Sequence, residues 1–490
     1  MKNIGKGAAS LILLSFIGMS FIQHTQFLDL EVQGIHSWRQ SQTMWNIRNF
    51  VRHDNNICNP RINKFNGGKS NILRYEFPLM QWTIAQVQKA INEEIRVVRI
   101  MMFLMGLLTL FSFMLIVKEL FDDWLTAVLS AVLLQYSPVF YYYTWNPLPD
   151  SWALSFGFLY LAFVFIHCKS QKTQHLLIAS IALTAATLCK LPYLMFSIVS
   201  IFFFLSDLYQ GRDLLGKLRT YALPQFVILL PAIAWYIWVM PGWKGNPILT
   251  GQLGDAFDLS EYINILRFHR TTMFPRILTS PPIWILVIIG LVTYVKRWRR
   301  KPWVLSLVGI TLLYLILEFK PIGVVHDYYM LPFLSWIFII VAYGVSYLRK
   351  WKYGYLIVLA VCIWSSLYTA STMQSFWDYE KSGINNDIFL YSEELKDAVP
   401  NDEHCIVLRD KTDHLFSYRI DKMGYTFRYD HLPIGWIDDM VRNYDVRYMY
   451  SDSREVDESA DFQKYLKRVM LQKGSIKVIE LQLPVSIIDK

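Results

Sequence analysis

Residues 281–318 read PPIWILVIIGLVTYVKRWRRKPWVLSLVGITLLYLILE. Two apolar runs flank the cations Lys296, Arg297, Arg299, Arg300 and Lys301. In lipid, backbone polar groups find partners only inside a helix or a closed barrel, so long apolar runs of this kind cross as helices. Lys and Arg collect in the short loops left on the cytoplasmic side. The segment therefore reads as two membrane spans joined by a short inside loop.

The same pattern extends in both directions. Apolar runs lie near 8–25, 97–117, 124–143, 151–167, 174–189, 191–209, 220–240, 282–296, 303–318, 331–348 and 353–371, about eleven spans. Lys2 and Lys6 before Ala8–Phe21 resemble a secretory signal, but no small-residue cleavage site follows, so this run reads as an uncleaved first helix with its N-terminus inside. Inside loops then hold Lys118; Lys169 and Lys172; Arg212, Lys217 and Arg219; the 296–301 cluster; and Arg349, Lys350 and Lys352. Only the first is outweighed by acids (Glu119, Asp122 and Asp123), and acids count little in orientation. An odd number of spans leaves the C-terminus outside.

Composition agrees. The 490-residue chain is 54% hydrophobic and 18% charged, with mean hydropathy +0.27, against about 25% charge in soluble domains. The deficit runs from Ala8 to about residue 370, and ordinary charge density begins at Ser371. The expected organisation is an α-helical polytopic membrane domain, 1–371, with outer loops at about 26–96 and 241–281. A small extracytoplasmic α/β domain follows at 372–490. In it, Cys405–Leu408, Val446–Tyr450 and 476–483 read as strands and Asp461–Lys473 as helix. In the first outer loop, Thr43–Val51 and Phe77–Ile91 read as helices lying in the interface. The net charge of +9 is explained by membrane orientation, which argues against a nucleic-acid partner. Cys58 and Cys405 both fall outside, where a disulfide is permitted but nothing in the sequence requires it.

Several motifs fail. Gly67-Gly68-Lys69-Ser70 resembles the end of a phosphate loop, but Asn63 stands where the first glycine belongs. Asp122-Asp123 sits in a tight turn, where capping of the next helix is the expected job. There is no HExxH, nucleophile elbow or dinucleotide fingerprint, and no residue set demands a metal.

The outer ends of the spans are richer. The first outer loop carries His36-Ser-Trp38-Arg39-Gln40-Ser-Gln42-Thr43, then Arg74-Tyr-Glu76-Phe-Pro78. Asp150 opens the fourth span, Lys190-Leu-Pro192 separates the fifth and sixth, and His326-Asp327-Tyr328-Tyr329 precedes the tenth. Each has a structural explanation: a helix cap, a snorkelling lysine, interfacial aromatics. Together they put carboxylates, cations and a histidine at one membrane depth, where ionisable groups are costly and often functional.

This arrangement resembles the C-type integral-membrane glycosyltransferases, in the branch related to protein O-mannosyltransferases and the lipid A aminoarabinose transferase. The likeness rests on residues 36–43, Arg48-Asn49-Phe50, Glu76-Phe77-Pro78-Leu79, Pro149-Asp150, Lys190-Leu-Pro192 and His326 to Tyr329 with Pro332. The resemblance implies a multi-pass enzyme of the inner (plasma) membrane. It takes a sugar from a polyprenyl-phosphate carrier and transfers it, on the outer side, to a lipid, glycan or protein acceptor. Glu76 and Asp150 are then the candidate catalytic acids, with Asp29 and Glu31 behind them. His36, Trp38, Arg39, Gln40, Lys190, His326 and Tyr328 are candidate substrate contacts, with Arg74 and Arg270 in reserve for the donor phosphate. The chain departs from the family in carrying Gln42 where an Asp is often found. No cofactor is implied, and metal dependence varies within the superfamily. A transporter or flippase, a glycan ligase or polymerase, and a non-catalytic anchor are the alternatives. Rim-located ionisable groups and the lack of two-half similarity argue against transport.

Overall fold

The structure, a computed structural model, describes residues 6–65, 68, 70–211, 213–243, 259–296, 298–324, 326–428 and 432–484. The chain divides into two compact units. One comprises Met1–Asp29, Tyr75–Met80 and Glu94–Gln374; the other comprises Leu30–Arg74, Gln81–Glu93 and Ser375–Lys490.

The first unit is helical. Among the described residues, seven helices are long and apolar enough to cross a membrane: Gly7–Phe27, Ile95–Phe121, Pro149–Ser170, Leu191–Tyr209, Leu214–Trp243, Asp327–Leu348 and Gly354–Trp377. Leu259–Leu278 and Pro281–Val295 form a further pair bent by 91°, and Trp124–Gln135, Thr173–Cys189 and Trp303–Leu317 are shorter apolar helices. Every expected apolar run falls on one of these elements. The run at 124–143 is broken, because Ser137-Pro138 ends Trp124–Gln135 and starts a separate helix, Pro138–Tyr143. Asp123 caps Trp124–Gln135, accepting from the Leu125 amide at 3.2 Å. The helices Trp284–Val295 and Leu334–Leu348 meet backbone to backbone at Gly290 and Gly344. A Cβ on Gly290 would strike the Ile340 carbonyl, and one on Gly344 the Leu286 carbonyl.

Two spans open with 3₁₀ turns. Leu191–Ser197 contains Pro192, and Asp327–Phe333 contains Pro332. Proline has no N–H to donate, which loosens each opening turn and leaves Lys190 and His326 on non-helical backbone just before it.

The second unit holds a five-stranded sheet. Its strands are β1 (Cys405–Leu408), β2 (Gly424–Phe427), β3 (Tyr448–Ser451), β4 (Leu466–Lys473) and β5 (Ile476–Leu481), in the order β2-β1-β3-β5-β4. β1 runs parallel to β2 and β3, and β5 runs antiparallel to β3 and β4. Two apolar clusters cover the sheet, one around Ile406, Met449 and Ile479 and the other around Val407, Tyr450 and Val478. The stretch at 461–473 differs from expectation. Only Ala460–Gln463 is helical, and Leu466–Lys473 is β4. Gly474, at φ +56°, turns the chain straight back into β5, so hairpin pairing overrides local helix preference.

The loop residues 30–74 are part of this unit. The Phe65 amide donates to the Gly424 carbonyl at 2.9 Å and the Gly424 amide to the Asn63 carbonyl at 3.0 Å, so residues 63–65 extend the edge at β2. The helix Ser37–Arg52 is buried almost all round, from Ser37 through Ile47, which differs from the half-exposed interfacial helix expected there. Arg48 pairs with Asp421 at 3.1 Å and stacks on the Tyr418 ring at 4.0 Å. Cys58 and Cys405 are both free thiols.

Candidate functional site

The site in the first unit forms where helices end. Pro149 occupies the first turn of Pro149–Ser170, so Asp150 lies beside amides that lack helical partners. Asp150 is 2% exposed. Lys190 follows the last residue of Thr173–Cys189, where a cation is favoured. The Lys190 ammonium stands 3.6 Å from Asp150 Oδ2 and 5.2 Å from the centre of the Tyr329 ring. Glu318, at the end of Trp303–Leu317, also lies within electrostatic reach of Lys190. One cation is therefore ringed by carboxylates and an aromatic face.

Glu76 comes to the same end of the bundle by a backbone clip. The Phe77 amide donates to the Leu188 carbonyl at 3.0 Å, and Trp235 Nε1 donates to the Tyr75 carbonyl at 3.1 Å. The Phe77 ring sits edge-on to Trp235 at 4.9 Å. These contacts hold Glu76 beside the last turn of the helix that Lys190 terminates. Cys189 accordingly lies within electrostatic reach of both Glu76 and Asp150.

The third arm is 326–329. Tyr328 Oη and His326 Nδ1 are 3.0 Å apart, and Tyr143 donates a short hydrogen bond to Asp327. The Tyr143 and Tyr328 rings meet edge to face at 5.6 Å. Arg270 is exposed, on the irregular helix His269–Leu278, and Phe274 of that helix contacts Phe333 at 6.2 Å. Glu76, Asp150, Lys190, His326 and Tyr328 thus converge within one unit.

Sequence reasoning missed Asp327 as a partner of Tyr143, and Glu318 altogether. Glu318 is an ionisable residue closing an apolar run, the same signal that singled out Lys190. Arg99 was also missed. It is 1% exposed and donates to the Trp145 carbonyl at 3.1 Å and Asn146 Oδ1 at 2.9 Å.

The remaining candidate substrate contacts lie in the second unit. His36 takes a left-handed conformation, φ +55°, immediately before Ser37–Arg52. Arg39 is buried and donates to Gln42, so the side chain that departs from the family pattern is itself an acceptor for Arg39. Gln40 Nε2 donates to the Ile35 carbonyl at 2.9 Å, and Trp38 is half-buried. Arg74 donates to the Cys58 carbonyl and Asn59 Oδ1, both at 2.8 Å, within its own loop. Of the other acids, Asp29 forms a bidentate pair with Arg96 at 2.7 Å, which holds its carboxyl below the usual range. Glu31 accepts from Tyr418, and Asp54 pairs with Arg61 at 3.0 Å. Among the described residues, no group of three or more His, Cys, Asp or Glu side chains is arranged to hold a metal ion.

This fold, a helical unit and a sheet-bearing unit, is similar to that of solved structures. The family model for dolichyl-phosphate-mannose-protein mannosyltransferases matches residues 76–238. The fold is similar to ArnT from Cupriavidus metallidurans in the apo state, with TM-score 0.68, 13% identity and coverage of 96% of this chain and 98% of that one. It is equally similar to the same protein bound to undecaprenyl phosphate, with TM-score 0.68, 11% identity and coverage of 97% and 98%. The oligosaccharyltransferase of Archaeoglobus fulgidus matches with TM-score 0.58 and 13% identity, over 90% of this chain and 68% of that one. No curated protein sequence matches. The resemblance to the branch that includes O-mannosyltransferases and ArnT is borne out.

Proposed function

We propose that the protein is a membrane glycosyltransferase that takes a sugar from a polyprenyl-phosphate carrier and passes it to a hydroxyl of a lipid, glycan or protein acceptor. The observation that carries this reading is the Asp150–Lys190 pair at 3.6 Å, with Glu76 clipped to the same helix end. The family match spans this region, and an ArnT structure of the same fold binds undecaprenyl phosphate.

In the reaction, the acceptor oxygen attacks the anomeric carbon and its proton passes to a carboxylate. The bond from the anomeric carbon to the phosphate oxygen breaks, and the electron pair leaves with the polyprenyl phosphate. Glu76 is the proton acceptor in this account. Lys190 meets the phosphate as a point charge, and charge building on the leaving oxygen makes that contact stronger in the transition state. Asp150 neutralises Lys190 before the donor arrives. His326 and Tyr328 line the site, and Arg39 is the bidentate phosphate ligand, with Arg270 and Arg74 in reserve. His36, Trp38 and Gln40 complete the substrate contacts. The donor enters from the lipid, so no nucleotide site is needed.

We propose that the protein sits in the inner (plasma) membrane, with a transmembrane domain, 1–371, whose loop residues 30–74 belong to the sheet-bearing unit, and a C-terminal domain, 372–490, on the outer side. The test is to add radiolabelled polyprenyl-phosphate sugar and a membrane-lipid extract to detergent-purified protein. A new glycosylated product without any vesicle gradient supports transfer. Donor movement across vesicles without a product supports transport.

A further inference from the structure

The turn that brings Asp150 to Lys190 is short of hydrogen-bond donors. Residues 145–150 read Trp-Asn-Pro-Leu-Pro-Asp. Were the chain helical from Trp145, its carbonyl would accept from residue 149, and Pro149 has no N–H to give. Arg99 supplies the missing donor. Its Nη1 lies 3.1 Å from the Trp145 carbonyl oxygen and 2.9 Å from Asn146 Oδ1. Arg99, Trp145 and Asn146 are each 1% exposed. Burying a guanidinium is costly, so a cation at this position asks for a role beyond filling space.

The helix that carries Arg99 is shaped to the same turn. In Ile95–Phe121, Arg99, Phe103 and Gly106 recur at helical spacing and share one face. The Phe103 ring stacks on Trp145 at 4.4 Å, and His24 stacks on the same indole at 4.4 Å. A Cβ on Gly106 would meet Thr144 Cβ at 2.9 Å, so the glycine lets the turn lie against the helix. From Asn146 the restraint passes along stiff chain. Pro147 and Pro149 have fixed φ angles, and the Leu148 amide donates to the Asn146 carbonyl at 2.8 Å. Ser151 Oγ closes the far side, donating to the Tyr143 carbonyl at 2.7 Å. Asp150 stands between these ties. Tyr143 also donates to Asp327, so the same turn supports the arm that carries His326 and Tyr328.

We propose that Arg99 is a positioning residue: by gripping the turn at Trp145 and Asn146, it sets the Asp150 carboxylate against the Lys190 ammonium. Its bearing on catalysis rests on the sugar transfer proposed above, whereas its hold on the pair does not. Without that grip the turn loosens, Asp150 drifts from its 3.6 Å contact, and the ammonium loses its fixed place.

The test uses the full chain in detergent and reads melting temperature, which needs neither donor nor turnover. With Arg99 in place, Lys190→Met should lower the melting temperature, and adding Asp150→Asn should restore most of the loss, because the two charges are coupled. In Arg99→Met that restoration should vanish. Arg99→Lys keeps the charge and carries the test if Arg99→Met does not fold; there the restoration should be smaller than with Arg99 intact. A residue with a structural role alone would lower every melting temperature and leave the restoration unchanged. Transfer by Arg99→Lys should fall by up to about a hundredfold, the scale of an ångström's misplacement, and adding Asp150→Asn should deepen that loss little. Restoration of full size in the folded Arg99 variants overturns the proposal, and so does its absence when Arg99 is intact. If the restoration depends on Arg99 but no sugar is transferred, only the proposed reaction fails. If sugar is transferred and the restoration ignores Arg99, the positioning role alone fails.

Discussion

The Lys190 ammonium lies 3.6 Å from the Asp150 carboxylate, with the two side chains 15% and 3% exposed. Removing one partner from such a pair leaves a charge with little solvent around it, whereas removing both does not. Lys190→Met should therefore destabilise the protein by about 3 kcal/mol. Adding Asp150→Asn should recover most of that loss. Thermal unfolding of the single and double variants in one detergent checks this. Additive losses would mean that the two residues act independently.

Asp410 and His414 in the sheet-bearing unit make opposite contributions to pH dependence. Burial lifts the Asp410 carboxyl to about 6, although Thr412 and the Ser417 amide donate to it. Its stabilising contribution is complete below the unfolded value near 3.8 and is lost as pH rises through about 6. Burial depresses the His414 imidazole to about 3, with Nδ1 at 2.8 Å from Asn63 Oδ1. Its contribution is complete above the unfolded value near 6.5 and is lost as pH falls toward about 3. The two largely cancel on acidification. Relative to wild type, His414→Gln should gain melting temperature between pH 7.5 and 4.5, and Asp410→Asn should lose it. Parallel melting curves for all three proteins would contradict the assignment.

Gly290 and Gly309 offer a matched comparison in packing. A Cβ at Gly290 meets the Ile340 carbonyl, while one at Gly309 meets nothing within 4 Å. Gly290→Ala should cost about 1–3 kcal/mol through overpacking against backbone that cannot yield. Gly309→Ala should be neutral or stabilising by up to about 1 kcal/mol, the helix-propensity gain. Thermal shift separates them, and equal effects would argue against this helix contact.

The proposed topology is tested with single cysteines in a background without reactive native thiols. Asp410 is buried, so a label placed there reports folding and not sidedness. Asp461, with its side chain 80% exposed, and the exposed Arg299 are suitable positions. In intact cells, an impermeant reagent should label Asp461→Cys and spare Arg299→Cys until the cells are permeabilised. The reverse pattern would invert the topology.

Much of this molecule was legible in its sequence because lipid imposes a simple rule. Apolar length and basic punctuation located the long apolar helices among the described residues. The sheet domain was less legible. Strand β4 is an edge strand with several exposed residues, so burial leaves little pattern in it, and only Lys473-Gly474-Ser475 signals its turn. Ionisable residues at span ends identified Asp150 and Lys190. The same rule applied to Glu318 would have added it, but Tyr143 and Asp327 meet across 184 residues, which no local pattern encodes. The sequence groups loop residues 30–74 with the membrane domain, while in the structure they pack into the compact unit that holds the sheet, through backbone pairing at Gly424. Such long-range pairing leaves no periodic trace.

The most direct test of the central claim is the rate of sugar transfer by Glu76→Gln, which preserves shape and removes the charge. With membrane insertion, melting temperature and donor binding matching wild type, transfer from labelled polyprenyl-phosphate sugar should fall by roughly two orders of magnitude, the scale of a lost general base. Transfer close to the wild-type rate would contradict the account, because a side chain that cannot accept the acceptor's proton would then be sustaining the reaction.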